Sequence, residues 1–240
     1  MFKNTKTTKG EDTRRRIFEN ALRLFRERGF EATTMRDIAT AAGQSLGAAY
    51  HYFSGKEAIV LAYYDRVQDE HARRVGEAIG KHTARRDLLA AVFHSKLDIL
   101  ADDRPLMGAL LRFTGVPTHP LSFLGEGTRN LQLRSMALFR EAMAHEQLPD
   151  DLRAALPTLL WSMHMGLLLY FLYDGSPRQR RTRALTDGAI DLVSRSLVVA
   201  RQPLLKPLRR SLWALLEQAG LLASDDDMSR AVRSHEGSPS

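Results

Sequence analysis

Residues 45–58 read SLGAAYHYFSGKEA. Three residues with little or no side chain, Gly47, Ala48 and Ala49, run directly into Tyr50, His51, Tyr52 and Phe53. On a helix this makes a bare N-terminal half and an aromatic C-terminal half. Glycine inside a helix costs about 1 kcal/mol relative to alanine, and close approach of the backbone to another surface is one reason to tolerate it. Ser45 caps a helix over residues 46–53, and Gly43 supplies a tight turn in front of it. Behind the turn, Thr34-Met35-Arg36-Asp37 opens a helix over residues 35–42 with a capping-box pattern in which Asp replaces Glu. Two short helices at a glycine turn describe a helix-turn-helix, whose second helix enters a DNA major groove. On this reading Tyr50 and Tyr52 point hydroxyls at phosphate oxygens, while Phe53 joins Leu24, Ile38, Ala39 and Ala42 in the core. Lys56 adds a charge at a helix start, over residues 56–79, where backbone N–H groups already favour phosphate.

Working outward, residues 14–28 carry Ile17, Phe18, Ala21, Leu22, Leu24 and Phe25 as a one-sided stripe, ended by Gly29. Beyond residue 79 helical periodicity continues over 84–101, 104–113, 122–146, 150–174 and 180–200, separated by Asp102-Asp103, residues 117–120, Pro149 and residues 175–177. Residues 203–222 form a further apolar-rich helix. From Ser224 the chain turns polar and charged, the composition of a disordered tail. No strand pattern and no internal repeat is present, so the expected fold is all-α. The domain reading is a helix-turn-helix domain with a basic N-terminal arm at 1–56, a helical domain at 57–202, an extra helix at 203–223 and a tail at 224–240.

The chain has 240 residues, a net charge of +7 and a pI of about 9.9. That size supports a buried core, and that charge favours a polyanionic partner. Residues 1–56 hold 11 Lys and Arg against 6 Asp and Glu, so most of the excess belongs to the helix-turn-helix end. Arg14, Arg15 and Arg16 read either as a solvated face or as cations reaching a nucleic-acid backbone. Cysteine is absent, which removes disulfides, thiolate zinc sites and cysteine nucleophiles and suits a reducing cytoplasm. The N-terminus lacks the apolar run of a signal peptide. Residues 156–173 carry no formal charge, a length that raises the question of a membrane span. Pro157, Thr158, Ser162, His164 and Gly166 dilute the segment, and a helix buried on most sides is the simpler reading, with no membrane partner. HExxH, GxSxG and P-loop patterns are missing, Gly125-Glu126-Gly127 lacks the third glycine of a dinucleotide fingerprint, and the histidines show no metal spacing. No catalytic residue, metal or cofactor is expected.

The stretch TTMRDIATAAGQSLGAAYHYFSGKEAIVLAYY resembles the DNA-binding domain of the TetR family of transcriptional regulators. The resemblance spans residues 14–64 and rests on Thr34, Arg36 to Ala39, Ala42-Gly43, Gly47, Tyr50, Phe53 and Lys56-Glu57 in family spacing. It departs in one place: the His that many members carry where Tyr52 stands is here one position earlier, at His51. The resemblance implies a homodimer on a palindromic double-stranded operator, with a C-terminal helical domain that takes a small-molecule effector and relieves repression. It nominates Arg36, Gln44, Ser45, Ala48 and His51 for base or groove contact, and Thr34, Tyr50, Tyr52 and Lys56 for phosphate contact. Arg36 has a second reading, pairing with Glu31 or Asp37. Other functions remain open: an activator, a constitutive binder, or a helical interaction protein or enzyme that retains a helix-turn-helix.

In the C-terminal half periodicity carries the reading. On a helix over 161–173, Trp161, His164, Met165 and Leu168 share a face suited to a mostly apolar ligand pocket, with Phe93, Leu97, Leu110 and Phe113 as further walls. A lone His on an apolar face is usually a hydrogen-bonded core residue, and His164 has that reading too. Ser162, Gly166, Leu169, Tyr170 and Tyr173 share the adjacent face. The family resemblance implies that the last two common helices form a dimeric four-helix bundle. That assigns this second face to the partner subunit, together with Ala189, Ile190, Val193, Leu197 and Ala200.

Overall fold

The computed structural model describes residues 9–81 and 84–236. Among them the chain is helical without strands: α1 (Lys9–Arg28), α2 (Met35–Ala41), α3 (Leu46–Tyr52), α4 (Lys56–Ile79), α5 (Arg85–Leu100), α6 (Arg104–Thr114), α7 (Arg129–Ala142), α8 (Asp150–Tyr173), α9 (Arg180–Ala200), α10 (Lys206–Gln218) and α11 (Asp225–Glu236). They fall into two compact units. The first takes the described residues up to Asp65 together with Asp102–Thr128; the second takes Arg66–Ala101 and the described residues from Arg129. The boundary expected after Lys56 therefore lies inside the first unit, because Ile59, Val60 and Tyr63 of α4 are buried there.

In the first unit α1 turns Ile17, Ala21, Leu22 and Phe25 inward, and α2 and α3 pack on it through Ile38, Ala39, Ala49 and Phe53. The end of α2 fixes the turn. Gly43 N–H bonds Thr40 O at 3.0 Å, Gln44 N–H bonds Ala39 O at 2.9 Å, and Gly43 sits at φ +64°. This is the Schellman arrangement, which puts its penultimate residue in the left-handed region. Valine there is strained by about 1–2 kcal/mol, so Gly43→Val is expected to lower the unfolding free energy by that amount, read as a lower urea midpoint at an unchanged m-value. At the other end of α1, Asp103 accepts from Arg26 Nε at 2.6 Å and from Tyr63 Oη at 2.8 Å, tying α1 and α4 to the start of α6.

Residues 122–146, expected as one helix, begin helical structure later. Gly127 approaches Pro120 so closely that a Cβ would lie 2.7 Å from its carbonyl oxygen, and the chain folds back there before α7 starts at Arg129.

In the second unit α7 packs on α8, α5 on α9, and α10 on α8, around Val92, Phe93, Phe139, Leu160, Trp161 and Ile190. α8 is long and apolar enough to cross a membrane by length and composition, with mean hydropathy 1.4, but half of that window is buried by the chain itself. The tail expected to be disordered instead forms α11. Ser224 caps it, accepting from Asp227 N–H at 3.0 Å, and Met228 and Ala231 are buried in the core cluster. Residues 237–240 lie outside the described residues.

Candidate functional site

α3 presents two unlike faces. Ala49 is fully buried, and Phe53, just past the helix, is 4% exposed. On the other side Ser45, Gly47, Tyr50 and His51 are exposed, with Gln44, Ala48 and Tyr52 half-buried at the edges. A methyl group added at Gly47 would meet no atom within 4 Å. The fold therefore does not require glycine at this position, although the helix is weakened by having one. Ser45 Oγ accepts from Ala48 N–H at 3.1 Å and keeps its own proton to donate. His51 stands edge-on to Tyr52, ring centroids 5.1 Å apart. The guanidinium of Arg14 lies 5.2 Å from the Phe53 ring centre, which sets a cation at the C-terminal end of α3, while Arg15 pairs with Asp12. Arg14 was one of three equivalent arginines in the sequence; only the packing of α1 against Phe53 singles it out.

Two of the residues nominated for phosphate have partners within the chain, and for Thr34 these use every proton. Thr34 donates its hydroxyl proton to Asp37 Oδ2 at 2.6 Å and its N–H to the same oxygen at 2.9 Å, and its Oγ1 accepts from Asp37 N–H. These bonds hold the Asp37 carboxyl below its usual range. A phosphate oxygen only accepts, and Thr34 has no proton left for it. The Lys56 ammonium donates to Phe30 O at 2.7 Å and Glu31 O at 3.4 Å and lies 4.5 Å from the Phe30 ring centre. It clamps the α1–α2 connection to α4. Lys56→Ala is accordingly expected to cost about 1–2 kcal/mol of stability, read in urea melts. Arg36 moves the other way. Glu31 pairs with Arg112 at 3.0 Å and Asp37 with Thr34, so the exposed Arg36 has no ion-pair partner among the described residues.

The second unit holds a buried polar cluster that the sequence reading did not include. Lys96, 8% exposed, donates to Gln68 Oε1 at 2.9 Å, and Ser135 Oγ donates to the same oxygen at 2.9 Å. That orientation leaves Gln68 Nε2 without an acceptor among the described residues. His71 Nε2 faces Val92 O at 2.8 Å and so carries the proton, leaving Nδ1 unpartnered, as is His164 Nε2. An unmade bond at a buried polar atom costs about 1–3 kcal/mol. Burial first, then Lys96, pushes His71 well below its ordinary range and His164 down to about 3. Burial, then Arg134, pushes Lys96 down to about 7, with Asp69 opposing.

Between pH 7 and about 10.5 the unfolded lysine holds a proton that the folded one has released, so stability rises with pH across that window. Lys96→Met is expected to flatten this rise in urea midpoints measured from pH 7 to 10.

The residues expected from sequence to line a pocket fall in both units. Phe93, Trp161 and His164 meet in the core of the second unit, with His164 5.1 Å from the Phe93 ring centre and 5.6 Å from that of Phe139. Leu97 is buried as well, and Met165 and Leu168 are half-buried. Leu110 and Phe113 belong to the first unit, Phe113 edge-on to Phe30 at 5.3 Å and stacked on His119. The α9 stripe expected to face a partner is turned inward: Ile190 and Leu197 are core residues, and Ala189, Val193 and Ala200 are half-buried. The outward face of α9 carries Leu185, Leu192 and Val199, at 49, 67 and 59% exposure. On α8, Ser162 and Gly166 are exposed, as are Leu169, Tyr170 and Tyr173.

A short capped helix with a bare, exposed, aromatic-edged face, held at a Schellman turn to a second helix, defines a helix-turn-helix DNA-binding protein. Comparison with known proteins agrees. The family model for bacterial regulatory proteins of the tetR family matches residues 17–63, and that for the tetracyclin repressor-like C-terminal domain matches residues 88–210, just over half of the chain. The chain belongs to the TetR family of transcriptional regulators. Among similar curated proteins, the HTH-type transcriptional repressor AcnR of Corynebacterium efficiens is 37% identical over 71 residues, 30% of this chain and 36% of that protein. The HTH-type transcriptional repressor KstR2 of Rhodococcus jostii is 50% identical over 54 residues, 22% of this chain and 26% of that protein. These matches span about a third or less of the relatives' length. A TetR transcriptional regulator from Nitrosomonas europaea shares the fold at TM-score 0.62 and 19% identity, covering 76% of this chain and 98% of that one.

Proposed function

We propose that the protein is a homodimeric cytoplasmic repressor that binds a palindromic operator through α3 and is released by a small, mostly apolar effector held in its second unit. The observation that carries the DNA-reading half is Gly47, a helix-weakening residue on an exposed face where the fold has room for a side chain. Arg36, Gln44, Ser45, Ala48 and His51 read the groove. Tyr50 and Tyr52 meet the backbone, joined by Arg14. Apolar exposure on α8 and α9, from Leu169, Tyr170, Tyr173, Leu185, Leu192 and Val199, is the kind of patch that marks a protein interface, and Ser162 and Gly166 leave room for close helix approach.

An effector acts only through its differential affinity for the DNA-competent and released dimers. Moving that balance from 99:1 to 1:99 takes about 5.5 kcal/mol, under 3 kcal/mol for each of two sites. The unpartnered polar atoms around Lys96 support effector binding in this unit, since they are costly without a ligand. The test is the salt dependence of binding to duplex DNA. A slope of log K against log[salt] of about −0.9 per phosphate neutralised is expected, reduced in Arg14→Ala. A flat slope would exclude the proposed interface.

A further inference from the structure

A cleft of about 840 Å³ opens in the second unit between α4, α7, the start of α8 and α11. Its volume is that of a small-molecule site. Leu138, Phe139, Leu148, Leu156 and Val232 give it an apolar wall, and Gln68 and Arg134 stand on it as well. None of the residues expected from sequence to form a pocket lines it. One wall is α11, which lies past the stretch matched by the family's C-terminal model, and α11 is tied over the cleft by the bond of His235 Nε2 to Asp69 at 2.7 Å and of Arg140 to Ser229 Oγ at 3.1 Å.

The lining balances Arg134, Arg140 and Arg153 with Asp69, Glu141 and Asp225; the polar group left unmet on it, among the described residues, is Gln68. Gln68 is 2% exposed and its Oε1 is held by Lys96 and Ser135, so what it offers is the unpartnered Nε2 donor. Arg134 brings a guanidinium, ion-paired with Asp69, and Lys96 sits directly behind Gln68. Asp69 pairs with both Arg134 and His235, whereas Lys96 donates to the Gln68 amide oxygen. An unpartnered buried donor with an ammonium behind it, beside an apolar wall, is best met by an anionic acceptor on an apolar body.

We infer that the α11-walled cleft binds an amphipathic carboxylic acid, its carboxylate accepting from Gln68 Nε2 and its chain lying along Leu138, Leu156 and Val232. This rests on the reading of the second unit as effector-binding and names the effector's chemistry.

The experiment is calorimetric titration of the full chain, without DNA, with decanoate, decanol and decyltrimethylammonium. Decanoate is expected to bind once per chain and about tenfold or more tighter than decanol, as loss of one charged hydrogen bond implies, with the ammonium weaker still. Gln68→Leu is expected to remove the preference for decanoate over decanol. Val232→Trp, which fills the cleft from α11, is expected to weaken both acid and alcohol, and a wild-type thermal midpoint shows each variant folded. Equal binding of acid and alcohol, undiminished decanoate binding in both variants, or no binding of decanoate would each overturn the assignment. Decanoate that binds but leaves a DNA complex intact would keep the site and overturn its role as effector site; DNA released by another compound in a protein that ignores decanoate would do the reverse.

Discussion

Leu192→Glu is expected to leave the chain folded and to lower its affinity for a palindromic duplex by about 10²–10⁴-fold. Leu192 is 67% exposed, so the substitution removes little from the chain's own core. In an isologous dimer the same residue is buried from both sides, and two introduced carboxylates lose their hydration without a partner. Two half-sites bound through one dimer gain about 10²–10⁴ over a single half-site by effective concentration alone, and a monomer forfeits that gain. Sedimentation should show a monomer, against the dimer expected for the wild type. The substitution Ile190→Glu separates the two faces of α9: at 0% exposure it should unfold the unit rather than split a dimer. A Leu192→Glu protein that stays dimeric and binds normally would remove the outward face of α9 from the interface.

Gly47→Leu is expected to do two opposite things. Leucine is a better helix former than glycine by about 0.8 kcal/mol, and there is open space at the position, so stability should rise. DNA binding should fall by about a hundredfold, roughly tenfold for each half-site, as when one base contact worth about 1–3 kcal/mol is pushed out of reach. A residue kept for packing would show the same sign in both measurements. Unchanged binding in a more stable protein would mean that the bare half of α3 faces solvent alone.

What the sequence revealed and what it hid follow one physical division. The helix-turn-helix rests on local signals, the Thr34–Asp37 box, the Ser45 cap and the glycine at Gly43, and each is satisfied by atoms within a few residues. α9 carries two apolar stripes, and periodicity alone does not say which one faces the chain's own α5. The inward choice of Ile190 and Leu197 is a tertiary fact. Nothing in the sequence singles out Lys96 and Gln68, because charged and amide side chains normally lie on the surface; they are buried because α4, α5 and α7 close around them. The α11 segment, DDDMSRAVRSHE, has the composition of a tail. Yet its capping serine and its Met228–Ala231 spacing were legible signs of a helix with one apolar edge. Thr34 and Lys56 show the reverse limit, since residues that match a family's contact positions are here held by Asp37 and by the Phe30 carbonyl.

The most direct measurement of the central claim is selection of bound duplexes from a randomised DNA pool by the purified chain, with Gly47→Leu run in parallel. The account predicts that the wild type enriches one inverted repeat, with half-sites whose centres lie one helical turn or a multiple apart, about 34–36 Å per turn. The variant should enrich that repeat far more weakly, in keeping with a hundredfold lower affinity. Enrichment of no sequence by the wild type, or equal enrichment of the same repeat by both proteins, would contradict this reading.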